Sequence, residues 1–331
     1  MKSNLGKHIC VTIFGGSHED HIGVTIEGMD FKPEEVDMEK LHGFLKRRAP
    51  GNSPYATARK EDDIPLLTGT DPITYIIRNK DRRSSDYDKH RNIPRPGHAD
   101  YGAWVKYKGR LNMAGGGPFS ARMTAPLCIA GGIALQLLER KGISISARLS
   151  SAGGYRGEEM YPAILKAKEE GDSLGGIVSA EVTGCPAGIG GPMYDGLESL
   201  ISPIIFGIPG VKALSFGAGF SAAEMRGSEN NDPFLMEEGR VVTATNHAGG
   251  ILGGITTGMP ITLEVAFKPT SSIAKEQDSV DLSGKENVKV KVDGRHDPCI
   301  AVRAVPVVEA ALALGLMDAI MAERMEDNDE Y

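Results

Sequence analysis

The most apolar stretch of the chain, residues 304–321, limits most strongly what the chain can fold into. It is long enough for a helix of several turns, yet it contains two carboxylates, Glu309 and Asp318. Carboxylates are rare and costly inside a bilayer, so the stretch predicts a helix packed in a protein core and not a membrane span. The chain can supply such a core, because 40% of its 331 residues are hydrophobic and 24% are charged, as in ordinary globular proteins.

Hydrophobic periodicity predicts helices and strands mixed along the whole chain, with no linker that marks a domain boundary. Gly and Pro make up about 18% of the residues, against about 12% in average proteins, which predicts many constrained turns. The predicted strands are 9–14, 74–78, 177–183, 261–267 and an alternating segment at 288–292, and the predicted helices are 37–48, 120–141, 161–170 and 305–321. Asp37 is the predicted N-cap of its helix, and the acidic tail 322–331 is expected to be frayed. Length permits one large domain or two smaller ones, and the pattern predicts a mixed α/β fold.

Net charge and cysteine spacing narrow the classes of function. The formal net charge of -7 argues against a general nucleic-acid binder, which needs a basic face. The four cysteines lie far apart and form no C-x-x-C pair, a pattern typical of neither a zinc site nor a disulfide framework. Because the first residues also lack the pattern of a secretory signal, we expect a cytoplasmic protein in a reducing compartment.

One segment is basic within this acidic chain. Residues 78–95 contain seven Lys or Arg side chains and three Asp side chains. This local excess indicates an anion site, and a solvated loop of mixed charge is an equally good interpretation of these residues alone.

Three short motifs give little or no support for a nucleotide, nucleophile or metal site. The chain has no G-x-x-x-x-G-K-[ST] phosphate loop. Residues 171–175 match G-x-S-x-G, but the motif follows a predicted helix and precedes a predicted strand, so we interpret it as a helix stop and not as a nucleophile elbow. His18 and His21 are three residues apart, and no further ligand completes a recognisable metal site, so no metal is predicted.

Four turns carry reactive side chains. His18 follows a glycine pair and Ser17 at the end of a predicted strand, and His98 lies in the segment Arg-Pro-Gly-His-Ala-Asp at 95–100. Each histidine alone is as well explained by a structural role as by a catalytic one. A glycine run at 115–117 leads into Ser120 and a predicted helix, which suits either a phosphate group or a simple helix cap. Asp297, in a tight turn at 294–298, either braces that turn or accepts a proton.

A fifth segment, 267–272, ends a predicted strand with a lysine and three hydroxyl side chains, which suits a phosphoryl group. Taken in their order, these motifs resemble the chorismate synthase family over nearly the whole chain. Three of them correspond to the family signatures, at 15–18, 119–124 and 295–298. Further family-like segments are 47–51, 78–81, 95–100, 227–229, 246–251 and 268–272.

The resemblance implies a single-domain α/β (α+β) layered sandwich, with antiparallel sheets between helices, that assembles as a homotetramer. It implies a lyase that converts 5-enolpyruvylshikimate 3-phosphate to chorismate by 1,4-elimination of phosphate, with reduced FMN required but not consumed. An anionic substrate beside an anionic cofactor requires many cations and amides, which accounts for basic clusters in an acidic chain. Neither a membrane nor a nucleic acid is an implied partner.

The resemblance also assigns roles by motif. His18 would be the general acid near the leaving phosphate, His98 would protonate reduced FMN near the flavin N1 region, and Asp297 would form a relay at flavin N5 with Ser17 and Ser120. The implied substrate-binding residues are Arg48, Arg95, Arg122 and Arg295. The implied FMN site consists of Ser120, Gly253, Lys268, Pro269, Thr270, Ser271, Ser272 and Arg295.

The chain departs from the family pattern at several positions, where Gly16 replaces Glu, Glu19 replaces Gly, Pro54 replaces Arg, and Pro118-Phe119 replaces Arg-Ser. The stretch after Gly69 is also shorter than usual. These changes bear on substrate affinity more than on chemistry. Pro54 and Glu19 motivate a second hypothesis, a non-catalytic relative that binds flavin or another anion and no longer accepts the substrate. A third hypothesis, an NADPH-dependent flavin reductase, has no nicotinamide motif to support it.

Overall fold

The computed structural model describes residues 2–51, 53–57, 62–79, 92–111, 113–292 and 296–329, with side chains up to Glu323 in the last segment and Ala114 excepted. The strands are β1 (Lys2–Leu5), β2 (Cys10–Gly15), β3 (His21–Glu27), β4 (Leu66–Thr70), β5 (Ile73–Arg78), β6 (Ser144–Ala152), β7 (Gly176–Thr183), β8 (Val211–Phe216), β9 (Phe234–Glu237), β10 (Arg240–Thr243), β11 (Ile251–Leu252), β12 (Ile255–Thr256), β13 (Ile261–Phe267), β14 (Gln277–Asp281) and β15 (Glu286–Val290). The helices are α1 (Met38–Arg48), α2 (Asp100–Tyr107), α3 (Thr124–Glu139), α4 (Met160–Glu169), α5 (Leu197–Phe206), the single turn α6 (Gly227–Asn230) and α7 (Ala301–Asp329).

Two antiparallel sheets organise the described residues. The first has the strand order β1-β2-β3-β5-β4, and the second has the order β6-β7-β13-β8. Three further strand pairs, β9–β10, β11–β12 and β14–β15, form two-stranded ribbons. Every strand pair is antiparallel, which confirms the α+β class.

The long helices α3 and α7 lie between the two sheets. Helix α3 packs against β2, β3 and β5 of the first sheet, and α7 packs against β6 and β7 of the second. The two helices also pack on each other. These helices therefore form the inner layer and the two sheets form the outer layers, whereas the resemblance implies inner sheets flanked by helices. The helices approach closely because Gly131 has no side chain: a Cβ there would come within 2.3 Å of the Cβ of Ala310.

The two carboxylates of the apolar stretch are both buried in α7, and each has backbone or cationic partners. Glu309 accepts two hydrogen bonds from the guanidinium of Arg47, at 2.7 and 2.8 Å, and one from the backbone N–H of Ala147. The Asp318 carboxylate accepts hydrogen bonds from the backbone N–H groups of Lys7, His8 and Ile9 at 2.7–3.0 Å. These bonds replace the hydration that burial removes, and they tie the N-terminus and the second sheet to α7.

Two helical segments, Ala121–Glu139 and Ala301–Glu323, are long and apolar enough to cross a membrane by length and composition. In each, 83% of the apolar window is buried inside the protein. Core helices meet the same criterion, and the buried carboxylates of α7 fit that interpretation.

Most predicted elements are confirmed within a few residues, and Asp37 caps α1 by accepting the backbone N–H of Lys40 at 2.9 Å. The helix-stop interpretation of the G-x-S-x-G motif is also confirmed: Gly171 follows the end of α4, and the Ser173 hydroxyl donates to the carbonyl of Thr270. Both boundaries of the predicted helix 305–321 were wrong, because α7 begins at Ala301 and its backbone is helical to Asp329. The helical backbone to Asp329 is consistent with strong helix formers such as Ala, Glu, Arg and Met in this part of the sequence, and fraying of the tail stays a prediction.

Candidate functional site

A cavity of about 470 Å³ lies where the amino ends of α2, α3 and α7 meet the carboxyl ends of α5 and β13. Its volume is in the range of small-molecule sites. Its charged and imidazole side chains are those of Arg95, His98, Arg122, Lys268, His296, Asp297 and Arg303. Its larger apolar side chains are those of Pro118, Phe119, Phe206, Ile208, Pro209, Val211 and Ile300. Among the described lining residues cations outnumber the one carboxylate, and the positive ends of three helix dipoles border the cavity, so the site favours an anion.

The glycine run borders both predicted histidines. Gly115, Gly116 and Gly117 have φ values of 60°, 92° and 52°, a backbone conformation that side chains other than glycine rarely adopt. A Cβ on Gly115 would come within 2.0 Å of the His18 ring, and a Cβ on Gly116 would come within 3.4 Å of His98 Nε2. The glycine run therefore lets two imidazoles from distant parts of the sequence approach the same loop.

His18 contacts this loop from the end of β2. The Ser17 hydroxyl lies 3.2 Å from His18 Nδ1 and 3.4 Å from the carbonyl of Gly115. His18 and Ser17 do not themselves line the cavity; they reach it through Gly115, which does. These contacts orient the His18 ring relative to the glycine run.

His98 belongs to a three-residue ion cluster with Arg95 and Asp100. Arg95 donates from Nε to Asp100 Oδ2 at 2.7 Å and from Nη2 to Oδ1 at 2.9 Å. His98 Nδ1 lies 2.7 Å from Asp100 Oδ1. Burial opposes ionisation of Asp100, but hydrogen bonds and charges from Arg95 and His98 outweigh it and hold the pKa of this carboxyl well below its ordinary value.

Asp297 is held at the amino end of α7 by groups on both sides. Its Oδ1 accepts the backbone N–H of Thr57 at 2.8 Å, and its Oδ2 accepts Nη1 of Arg303 at 2.9 Å. The backbone carbonyl of Asp297 accepts the hydroxyl of Thr270 at 2.8 Å. Asp297 is thus both a brace of its turn and a carboxylate on the cavity wall, so the geometry fits both interpretations made from the sequence.

Ser120 and Arg122 form the entry to α3. The Ser120 hydroxyl accepts the backbone N–H of Arg122 at 3.3 Å, as a helix cap does, and it also lines the cavity. Arg122 contacts the buried carboxylate of Asp63 through Nη1 and the side chain of Asn79 through Nε. Arg48 donates from Nε to the same carboxylate at 3.2 Å, so Asp63 lies between two arginines predicted to hold substrate anions.

The segment after β13 supplies a lysine and hydroxyl groups to the cavity wall. Lys268, Thr270, Ser271 and Ser272 line it, and the Lys268 ammonium donates to the carbonyl of Gly97 at 2.7 Å. The Ser272 hydroxyl accepts from Nη1 of Arg95 at 3.2 Å, which connects this segment to the His98 cluster. Burial, with the charges of Lys212 and Arg95, lowers the pKa of Lys268 from its ordinary value.

The cavity does not contain every residue that the sequence predicts. Gly253 lies in the turn between β11 and β12 and does not line it, and Pro269 is part of the segment 268–272 without lining it. Arg48 borders a small cavity of about 30 Å³ that shares Asp297 and Arg303 with the main one. Arg295 and most of the basic segment, 80–91, lie outside the described residues. Across the described ranges no group of three metal-ligating side chains is close enough to hold a metal ion.

The family-atypical residues occupy different places. Pro118 and Phe119 line the cavity and give this part of its wall apolar side chains. Glu19 does not line it, and a Cβ on Gly16 would come within 3.1 Å of the Glu19 carboxylate. The backbone carbonyl of Pro54 accepts a hydrogen bond from Nζ of Lys168.

Three side chains that the sequence did not single out hold the predicted ones. They are Asp100 beside His98, Asp63 between Arg48 and Arg122, and Arg303 beside Asp297. Asp100 could have been recognised, because it follows His98 by two residues in one motif. Nothing in the local sequence pairs Asp63 with Arg122 or Arg303 with Asp297, since helix formation and packing bring them together.

The fold and the cavity define the class: an α+β enzyme whose cationic cavity, with imidazole and carboxylate groups, suits acid–base chemistry on an anionic small molecule. A sequence model of the family described as "Chorismate synthase" matches residues 9–321. The chorismate synthase of Lancefieldella parvula is 41% identical over 377 residues, which cover 99% of this chain and 98% of the relative. That of Korarchaeum cryptofilum is 42% identical over 352 residues, with 96% and 97% covered. The chain therefore belongs to the chorismate synthase family, and it is a lyase.

A solved structure supports the fold assignment separately. The structure described as "Crystal Structure of Chorismate Synthase" superposes with a TM-score of 0.73 and covers 98% of each chain. Its sequence identity is 23%, so this likeness concerns the fold alone.

Proposed function

We propose that the chain converts 5-enolpyruvylshikimate 3-phosphate to chorismate with reduced FMN as a cofactor that is not consumed. In this 1,4-elimination the C6–H bond and the C3–O bond to phosphate break, and the ring gains one double bond. The observation that carries the proposal is the cavity itself, which has His98 and Asp297 on its wall, His18 beside its glycine run, and cations around it. Family membership supplies the reaction, and the cavity supplies groups that fit it.

The residues of the cavity fit FMN. Lys268 and the hydroxyls of Thr270, Ser271 and Ser272 offer donors to a phosphate group, which is what a phosphomonoester requires. Phe119, Ile208, Pro209 and Ile300 offer apolar surface to a flat ring system. Bound reduced FMN supplies transient electron density to the reacting ring, which assists loss of a poorly acidic proton.

The chain's own residues perform the remaining tasks. Arg95 and Arg122 supply positive charge for substrate anions, and Gly115, which has no side chain, lets a ligand approach the backbone at the cavity wall. His18 holds a proton on its ring near the leaving phosphate, and His98 holds one on its ring at the cavity wall. Asp297 accepts a proton at a carboxylate oxygen, and its bonds to Thr57 and Arg303 fix the position of that oxygen.

An anaerobic assay tests the proposal directly. Purified protein, photoreduced FMN and 5-enolpyruvylshikimate 3-phosphate are combined, and chorismate absorbance and released phosphate are followed together. We expect both products to appear in equal amounts, and only with reduced flavin. Tight FMN binding without turnover would contradict the proposal and favour a binding protein. Oxidation of NADPH with FMN alone would indicate a flavin reductase.

The lowered pKa of Lys268 predicts a pH dependence of FMN affinity. The protonated ammonium attracts the phosphate, so affinity is full below the pKa of Lys268 and falls as pH rises through it, starting at a lower pH than for an ordinary lysine. Fluorescence titrations with FMN between pH 7 and 10 measure this fall. The variant Lys268→Arg should lose the pH dependence, because a guanidinium stays charged. Riboflavin, which lacks the phosphate, is the matched ligand; an equal fall with riboflavin would contradict the assignment.

A homotetramer is also part of the proposal, and exposed apolar side chains support self-association. In the ribbon β9–β10, Phe234, Met236 and Val241 are 64%, 71% and 56% exposed. Exposed apolar side chains clustered on one ribbon are typical of protein interfaces. Light scattering should give about four times the chain mass of 35.3 kDa. Met236→Glu should lower that mass and Met236→Leu should preserve it; a monomeric wild type would contradict this part.

The four cysteines are free thiols, which supports the expected cytoplasmic location. Burial raises the pKa of Cys185 to about 11 and that of Cys128 to about 12, so both thiols stay protonated at neutral pH.

A further inference from the structure

We infer that Asp100 is a positioning residue that fixes the tautomer of His98, with the ring proton on Nδ1 and the lone pair on Nε2. The inference goes beyond the proposed roles, since neither the motifs nor the family membership assigned a task to Asp100. Only its kinetic test rests on the proposed function. The structural part concerns the hydrogen bonds among Arg95, His98 and Asp100.

The distances among these residues select one tautomer. Asp100 Oδ1 is 2.7 Å from His98 Nδ1, and its pKa is held well below the ordinary value, so it is an ionised acceptor at neutral pH. A lone pair on Nδ1 would face the lone pairs of this carboxylate at that distance, which is repulsive. A proton on Nδ1 instead makes a charge-assisted hydrogen bond.

Arg95 contacts both ring nitrogens of His98. Its Nη2 lies 3.0 Å from His98 Nδ1 and 3.3 Å from Nε2, and a guanidinium can only donate. Because Nη2 is close to both ring nitrogens, its contacts do not select between the tautomers, and the short contact of Nδ1 with the Asp100 carboxylate decides. The atom of His98 left to exchange a proton with a ligand in the cavity is therefore Nε2, which is also the ring atom nearest to Gly116 in the glycine run.

The cluster also predicts what an amide would do at position 100. Asp100 Oδ2 accepts two hydrogen bonds from Arg95, from its backbone N–H at 3.0 Å and from Nε at 2.7 Å. In Asp100→Asn the amide oxygen would keep these two donors, which turns the NH₂ group towards His98 Nδ1. Nδ1 must then accept, and the ring proton moves to Nε2. In catalytic triads the same replacement leaves the geometry intact and reverses the tautomer.

Nitrogen chemical shifts of the histidine rings test the inference in the full-length protein. The signals of His98 are identified by their loss in His98→Gln among the eight histidines. We expect Nδ1–H in the wild type and Nε2–H in Asp100→Asn. A wild type with Nε2–H, or an unchanged tautomer in the variant, would overturn the inference. If Asp100→Asn does not fold, the wild-type spectrum alone decides.

Kinetics separate positioning from a merely structural role. We expect Asp100→Asn to lower kcat by about 10²–10⁴-fold, the range for a misdirected acid–base group, with KM changed by less than about threefold. Asp278→Asn is the matched control, because it removes one carboxylate from an exposed pair with Lys289, and its kcat should be unchanged. Loss of activity without a tautomer change would contradict positioning. A wild type that forms no chorismate would overturn the proposed function and leave the spectroscopic test valid.

Discussion

Gly115→Ala is expected to lower kcat by about 10²–10⁴-fold, because the new methyl group would occupy the place of the His18 ring. A Cβ at position 115 would lie 2.0 Å from Cε1 and 2.4 Å from Nδ1 of His18. No adjustment of a few tenths of an ångström relieves such a contact, so the imidazole must move. Steady-state chorismate formation with photoreduced FMN measures the effect.

Gly142→Ala is the matched control for this experiment. Gly142 also has a positive φ, 78°, but a Cβ there would meet no atom within 4 Å. Its substitution adds backbone strain of about 1–2 kcal/mol without displacing a side chain. Activity of Gly115→Ala within about threefold of Gly142→Ala would contradict the prediction. In the background of His18→Ala, Gly115→Ala should cause little further loss, because both changes remove the same group.

Asp63→Asn is expected to lower the free energy of unfolding by about 3–5 kcal/mol, as when one partner of a buried ion pair is removed. The Asp63 and Arg48 side chains are 2% and 3% exposed, and Arg122 is 9% exposed, so the carboxylate offsets two guanidinium charges in a dry environment. The midpoint and slope of urea unfolding measure the loss. Sulfate should also stabilise the variant more than the wild type, because an anion in the cavity can pair with Arg122, which lines it.

Glu139→Gln is the matched control for Asp63. Glu139 forms an exposed ion pair with Lys40, and exposed pairs contribute about 0–1 kcal/mol. A loss below about 1 kcal/mol in Asp63→Asn would show that Asp63 does not offset the charges of the two arginines.

The sequence by itself determined a mixed α/β pattern, four of the seven described helices, five of the fifteen described strands, and the motif segments on one part of the cavity wall. It could do so because these properties are local: a hydrophobic period, an N-cap at Asp37, a helix stop at Gly171 and a glycine run before Ser120 each act within a few residues. The motif at 95–100 likewise contains both His98 and the carboxylate that contacts it. The prediction of a packed helix at 304–321 required only the composition of that stretch.

Only the tertiary structure decided how these pieces are joined. Asp63 pairs with arginines 15 and 59 positions away, and Asp318 binds amides more than 300 positions away, so no local pattern reveals either contact. Sequence reasoning missed the apolar part of the cavity wall that α5 and the following loop supply, for the same reason. Residues such as Ile208 become part of a site only when α5 packs beside α7. Local preferences act along the chain, whereas a buried charge or a cavity wall depends on which distant segments the core brings into contact.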